Sequence, residues 1–564
     1  MSQEFNHAKE ILSDELIEND NENKENDEYN NENSNENNQI EFNQYINKLL
    51  DNMGFSKYHF VLFLTSAFFL FCSGMQEIIH VILLSIINDT YNLTYYHLAL
   101  MNSIEYLGYT IATIIVNIIT NYLSRKTAIQ ITMISSLIFT GLSLTTYNFY
   151  FAAFNRFFLG FCFGILDILI YLNLFESAPT ELRGYIASLI QLFFPHGSFF
   201  LSVICYFQLI EGDHKINYKV LLLIPFLITT LLVLLVIIFI QESPRHLFGK
   251  NEFVKGIEAM KQISKINKNE DYMKNTFNFN TNKKSDQGIE LMEKKNSEEL
   301  EKKKTSKQNI DKIEISNTIM YEKNKINLDN IEEYFNKQKE IKSSSKDTLI
   351  DSIKSILDST YIYYTILFWL IGSFSGFVFN GIFFMLPATA PKINKHTFFD
   401  LVLFEGMEIP SNFIASLLID TSLGRLNILR IGFTVTFIIS LIIIWVGDSV
   451  LIFSCLLKFF LTIPSTVLIV YSSEIYDSNV RTIGISFVNF WKKISSLFAP
   501  FVMSYLTINY GEFSTNYLYG IFLCFCTIAS FFFKTESKGI PLDEIVKINF
   551  VIICIFFYMN FLFV

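Results

Sequence analysis

The residues most able to do chemistry here are charges placed where charge is costly. Arg156 and Asp167 lie eleven residues apart in one long apolar stretch. On a helix that is about three turns and a rise of ~16 Å along nearly the same face. Glu77 and Glu105 stand in two earlier apolar stretches, Gln191 and His196 in the next one, and Glu405, Glu408, Lys458, Lys492 and Lys493 in later ones. An ionisable group in hydrocarbon costs several kcal/mol unless it faces a cavity or a partner, so each is a candidate for handling a ligand or an ion. A carboxylate held this way binds or releases a proton as a cation comes and goes, which is the physics of proton coupling. The plainer alternative is that these charges pair with one another inside the protein, and it is the favoured one for Arg156, Glu105 and Lys492.

Other chemistries find little material. The seven cysteines all fall in apolar runs, and Cys524-Phe525-Cys526 has no further ligand spacing around it, so neither a metal site nor a cofactor is expected. A phosphate-binding loop and a nucleophile elbow are both missing, which argues against an enzyme.

The elements that must position these side chains follow from composition. The chain has 564 residues, of which 51% are apolar and 17% charged, and several of its apolar runs can cross a roughly 30 Å hydrocarbon layer. Residues 1–55 form an acidic, Asn-rich tail too poor in large apolar side chains to fold, with no cleavable signal at its start. Six apolar runs occupy 56–240, and a charged linker fills 241–358, with helical spacing of Val254, Ile257 and Met260 near 252–265. Six more runs occupy 359–535. The remaining 536–564 is a tail whose apolar end, 550–564, is short for a span and is expected at the membrane surface. The net charge of -10 is concentrated in the first tail and the linker, and no nucleic-acid partner is implied.

The two sets of six are copies of one another. Residues 156–184 begin with a cation and Phe-Phe-Leu, run apolar for several turns, and then show a Tyr, a Glu and, seven residues on, an Arg; residues 458–484 repeat that order. The expected fold is therefore an all-α membrane protein of twelve transmembrane helices, arranged as two pseudo-symmetric six-helix bundles. Glu105 and Lys492 show no echo in the other copy, and Asp167 has none either.

Basic residues between spans gather on one side with the linker: Arg125, Arg183, Arg245, Arg425, Arg430 and Arg481. That side, and both ends of the twelve-helix core, are expected to be cytoplasmic. Two glycosylation acceptors, Asn88 and Asn92, fall in the first loop of the opposite side. Along the basic side, Glu176 with Arg183 and Glu474 with Arg481 bracket a short loop in each half. Opposite charges at helix ends in both halves can pair when that side closes and part when it opens. Arg125, Glu242, Arg245, Asp420, Arg425 and Glu536 join them as candidate cytoplasmic gate residues.

Several motifs carry a family resemblance: Asn155-Arg156-Phe157 with Gly160 and Gly164, Glu176-Ser-Ala-Pro179 through Arg183-Gly184, Glu242-Ser-Pro-Arg245, Tyr471-Ser-Ser-Glu474 with Arg481 and Gly484, Glu408-Ile-Pro410, Lys493 ahead of Ala499-Pro500-Phe501, and Glu536 through Glu544. The chain resembles the major facilitator superfamily, in the branch of synaptic-vesicle-protein-related, organic ion and sugar transporters, over roughly 57–265 and 361–545. It departs from the family pattern at Asn121, where relatives carry an acid ahead of the basic pair, and near Gly74 and Met75, where related vesicle proteins carry an Asp.

Charge placement, duplication and resemblance together imply a secondary active transporter that moves a small organic solute by alternating access. A charged solute is favoured, and protons are the candidate coupling ion. Glu77, Glu105, Arg156, Asp167, Tyr171, Gln191, Asn380, Glu408 and Lys493 are the candidate substrate or ion residues. The alternatives are a transporter-shaped vesicle or surface protein that acts through interactions, and a sugar transporter of the same superfamily. The partners expected are the solute, protons and the lipid bilayer of the plasma membrane or an intracellular vesicle, with the chain acting as a monomer.

Overall fold

The computed structural model describes residues 56–91, 95–145, 148–179, 182–210, 218–249, 253–267, 349–358, 361–388, 395–446, 450–476, 478–511 and 514–537. The expected disordered tail, the apolar end at 550–564, most of the charged linker and Asn92 lie outside the described residues. Asn88, expected in the first loop, falls instead in the last turn of the first helix, which runs to Tyr91.

Described residues form helices and short connections, with no strand among them. The first half contains α1 (Lys57–Tyr91), α2 (Tyr95–Tyr122), α3 (Arg125–Ser143), α4 (Phe149–Ser177), α5 (Arg183–Leu189), α6 (Phe193–Ile210) and α7 (Tyr218–Phe239). Three short helices follow at the linker: α8 (Pro244–Gly249), α9 (Phe253–Asn267), which meets the helical spacing expected there, and α10 (Leu349–Ile356). The second half contains α11 (Ile362–Ala388), α12 (Lys395–Gly406), α13 (Glu408–Ile419), α14 (Gly424–Val446), α15 (Val450–Ile475), α16 (Ser478–Tyr510) and α17 (Ser514–Phe532).

Among the described residues, ten segments are long and apolar enough to cross a membrane. Helices α3 and α16 fall short because Arg125 and Lys126 open the first, and Arg481, Lys492 and Lys493 interrupt the second. Both nevertheless pack inside the bundles, α3 against α4 and α7, and α16 against α2 and α11. The fold is thus twelve transmembrane helices in two pseudo-symmetric bundles of six. The halves meet where α2 lies on α16, α6 on α12, and α5 on α13. Facing outward, Leu227, Leu231, Leu234 and Ile238 leave an exposed apolar stripe along α7. Water would penalise such a stripe, whereas lipid accepts it.

Two spans that pack against each other across the halves are broken. In the fifth, a 3-10 turn at Ile190–Leu192 separates α5 from α6, and in the eighth, Met407 separates α12 from α13. Proline lacks the N–H that would bond the carbonyl four residues earlier. Pro195 therefore frees the backbone at Gln191, and Pro410 frees it at Gly406. Irregular backbone at membrane depth persists where it borders a cavity, and both breaks do so.

Helices α2 and α4 cross at backbone contact. A Cβ on Gly160 would lie 2.1 Å from the Glu105 carbonyl oxygen, and one on Gly108 would lie 2.0 Å from that of Phe157. Only glycine lets the two backbones approach this closely. Gly160→Ala is expected to force them apart, at a cost of about 1–3 kcal/mol, read as a lower thermal midpoint of the purified protein in detergent.

Candidate functional site

Between the halves lies a cavity of about 210 Å³. It is lined by residues from both bundles: Gln76 and Glu77 from α1; Glu105, Tyr106 and Tyr109 from α2; Asp167 and Tyr171 from α4; Gln191 from the broken fifth span; Asn380 from α11; Glu408 and Asn412 from α13; Thr462 and Thr466 from α15; and Asn489, Lys492 and Lys493 from α16. Its volume is below the ~300 Å³ at which drug-sized sites begin, so it suits a small solute.

The charges fall into three groups. In the first, Arg156 is fully buried behind the cavity wall, with Nη1 donating to the Gln76 carbonyl at 3.4 Å and lying 3.7 Å from Glu105 Oε2. His80 Nδ1 reaches the same carboxylate oxygen at 3.3 Å. In the second group, Lys458 bridges two acids, at 2.9 Å from Glu405 and 3.0 Å from Glu408. Ser198 of the first half donates to Glu405 at 2.7 Å, tying the bundles together. In the third, the Tyr109 hydroxyl donates to Asp167. Lys493 stands 4.1 Å from the centre of the Tyr109 ring and 5.4 Å from that of Tyr106.

Neutral groups complete the wall. The Tyr106 hydroxyl crosses between the halves to donate to Asn380, whose amide donates to Ser496 at 2.6 Å. Tyr171 meets Ser473 across the same interface at 3.3 Å. Thr466 donates to the Asn412 carbonyl oxygen at 2.6 Å. Among the described residues, the buried Gln76 side-chain oxygen has no hydrogen-bond partner.

Eight of the nine expected substrate or ion residues therefore line one cavity; Arg156 is the other, and it supports Glu105 from behind. The expectation that Glu105 lacks a counterpart needs correction. Arg156 holding Glu105 in one half is matched by Lys458 holding Glu405 and Glu408 in the other. Tyr106, Tyr109, Asn412 and Asn489 were not expected. Tyr109 follows Glu105 by four residues and Tyr106 by three, which places it beside both on the surface of α2.

At the linker end the two halves carry the same motif. Arg125 pairs with Glu176, Ser243 donates to Glu176 at 3.1 Å, and the backbone N–H groups of Arg125 and Lys126 both donate to Glu242 at 3.0 Å. In the other half Arg425 donates to Glu474 at 3.0 and 3.1 Å and lies 3.3 Å from Asp420. Ser537 donates to Glu474 at 2.5 Å, and the N–H groups of Arg425 and Leu426 donate to Glu536 at 2.9 and 3.1 Å. Glu242 and Glu536 are thus carboxylates at helix N-termini, where the exposed N–H groups and the dipole favour them. Polar contacts cross between the halves here, among them Arg481 to Glu176 at 3.9 Å and Arg125 to Thr482 at 2.9 Å. Arg183 and Arg481, one from each half, both stand over the Phe175 ring, and Arg245 is buried on α8. The linker end is closed.

Comparison with known proteins adds a family. Residues 84–313 and 291–548 match the family model described as sugar (and other) transporter. A segment of 169 residues is 29% identical to Sugar transport protein 8 of Arabidopsis thaliana, covering 29% of this chain and 32% of that protein. Another of 143 residues is 29% identical to the inner membrane metabolite transport protein YdjE of Escherichia coli strain K12, covering 24% and 31%. The chain thus spans about a third of the length of these curated relatives. Among solved structures, the proton:xylose symporter XylE bound to 6-bromo-6-deoxy-D-glucose aligns with a TM-score of 0.60 at 13% identity, over 87% of this chain and 99% of that one. FucP in the outward conformation aligns with a TM-score of 0.55 at 14% identity, over 84% and 99%. At such identities the likeness is one of fold.

Proposed function

Because the chain belongs to the sugar (and other) transporter family of the major facilitator superfamily, we propose that it is a membrane transporter that carries a small polar solute by alternating access, with sugars as the leading solute class. The observation that carries this reading is the cavity itself. It lies between two halves that are closed at the linker end by ion pairs, and it mixes amide and hydroxyl groups with the aromatic faces of Phe163, Phe379 and the two tyrosines. Amides and hydroxyls match the hydroxyls of a sugar, and aromatic faces match its C–H faces. The matches to sugar and metabolite transporters favour the sugar alternative over the charged organic ion expected first, and they give the synaptic-vesicle branch no support of its own. We place the linker on the cytoplasmic side and protons as the coupling ion, with Asp167 and Glu77 as the acceptors.

A charged organic solute remains the second reading, on the ground that carboxylates and lysines share the cavity. A scaffold without transport has no use for matched ion pairs at the linker end of both halves.

The test is uptake of labelled D-xylose and D-glucose into proteoliposomes, with and without an acid-outside pH gradient. Gradient-driven accumulation is expected, and Asp167→Asn should lower it at least about tenfold, which corresponds to about 1.4 kcal/mol of lost stabilisation. Uptake of an organic ion but of no sugar would select the second reading. Failure of every solute class would favour the scaffold.

A further inference from the structure

From the geometry of α16 we infer that Lys492 and Lys493 form a binding site for an anionic oxygen group, a carboxylate or a phosphate, so that the preferred solute is a sugar acid or sugar phosphate rather than a neutral sugar. This rests on the reading of the central cavity as the transport site.

Successive residues on a helix point about 100° apart, yet both lysines line the cavity, which wraps around that side of α16. Several cations buried in the bundles have a carboxylate within reach: Arg156 has Glu105, Lys458 has Glu405 and Glu408, Arg125 has Glu176, and Arg425 has Glu474. Among the described residues neither Lys492 nor Lys493 has one within 4.0 Å. Their places are built. Gly376 leaves room for the Lys492 stem, since a Cβ there would lie 2.7 Å from Lys492 Cγ, and the Tyr109 ring holds the Lys493 ammonium.

The acids facing this pair come from α1, α2, α4 and α13. Glu105 is engaged by Arg156 and His80, Glu408 by Lys458, and Asp167 by the Tyr109 hydroxyl, leaving Glu77 across the cavity. Asp167 and the two ammonium groups interact through space, and the ammonium groups repel one another. Two neighbouring half-buried cations, with no carboxylate among the described residues within 4.0 Å of either, carry a mutual repulsion that nearby charges offset only in part. A solute that brings the counterion relieves that cost only while it is bound, and a neutral sugar does not. Asn489, one turn before the pair on α16, lines the same cavity and suits a hydroxyl of the same solute.

The experiment measures binding of D-glucuronate, D-glucose 6-phosphate, inorganic phosphate and D-glucose to the purified full chain at matched ionic strength, alongside proteoliposome uptake of each. At least one sugar-borne anion should bind tenfold or more tightly than D-glucose. Lys492→Gln/Lys493→Gln should lower that affinity at least tenfold and abolish the preference over D-glucose, with a thermal midpoint near that of the parent excluding a folding defect, while Lys493→Arg, which keeps the charge, should retain the preference. Inorganic phosphate that competes as well as the sugar anions would assign the site to the anion alone and overturn the sugar-acid assignment. D-glucose bound and carried as well as the anions, and insensitive to the lysine changes, would sink the inference and leave the transporter reading standing. Anions that bind but are never carried would sink the transporter reading, and no binding or uptake of any of the four would sink both.

Discussion

Arg156→Ala is expected to destabilise the folded protein by about 3–5 kcal/mol, the range found when one partner of a buried ion pair is removed. Arg156 has no exposed surface, and its guanidinium is, among the described residues, the one cation within 4.0 Å of Glu105 apart from His80. Alanine leaves the carboxylate in the cavity wall with only the imidazole to answer it, and takes a donor from the Gln76 carbonyl. The stranded charge causes most of the loss. The double variant Arg156→Ala/Glu105→Gln should therefore recover much of it, because a neutral amide needs no counterion. The readout is the thermal midpoint of the detergent-purified protein for both single variants and the double. A single arginine variant as stable as the parent, or a double no better than the arginine single, would show that the pair is not a structural tie.

The fold is largely legible in the sequence because membrane helices obey a simple length rule, and the duplication can be read directly from 156–184 against 458–484. Hydropathy alone is weakest at α3 and α16, where charge is frequent. Those charges lie in the linker-end contacts and the cavity wall, so the poorest membrane helices by composition carry some of the densest polar contacts between the halves. The two span breaks are hidden for another reason. Proline in a transmembrane run is common, and only the neighbours of Pro195 and Pro410 reveal that the helix actually parts there.

The candidate site is legible as a set of charges but not as a set of partners. An ionisable residue in an apolar run announces itself, so Glu77, Glu105, Asp167, Glu408 and Lys493 stand out from the amino-acid pattern alone. Pairing depends on distance between helices, which a single chain does not display. For Arg156 an internal pair is the favoured reading, but only the structure names Glu105 as the partner and shows Lys458 as its counterpart with two acids. Tyr106 and Tyr109 escape notice because tyrosine at a helical spacing usually means packing. What marks them is their neighbourhood, with hydroxyls on Asn380 and Asp167 and rings beneath Lys493.

Glu176→Gln should open the linker end of the protein while leaving it folded. Glu176 is almost fully buried and collects three partners: Arg125 and Ser243 from its own half, and Arg481 from the other half at 3.9 Å. Arg481 is anchored on its own side, its Nε donating to the Ser473 and Tyr476 carbonyls at 3.0 and 3.1 Å. The carboxylate is therefore what draws the second half onto the first. Glutamine keeps the shape and removes the charge, so Arg125 and Arg481 lose their shared anion in the closed state and regain hydration in the open one. If the closed state is favoured about 99:1, a loss of ~3 kcal/mol brings the two states to roughly even. Leu123 and Leu423 are exposed, and each lies just ahead of the first linker-side arginine of its half, which makes them sites for a pair of spin labels after the native cysteines are replaced. The distance distribution between the labels should gain a longer component in Glu176→Gln, and solute accumulation should fall with it. A distribution unchanged from the parent would mean that the closed end is held by packing, with the ion pairs contributing little to it.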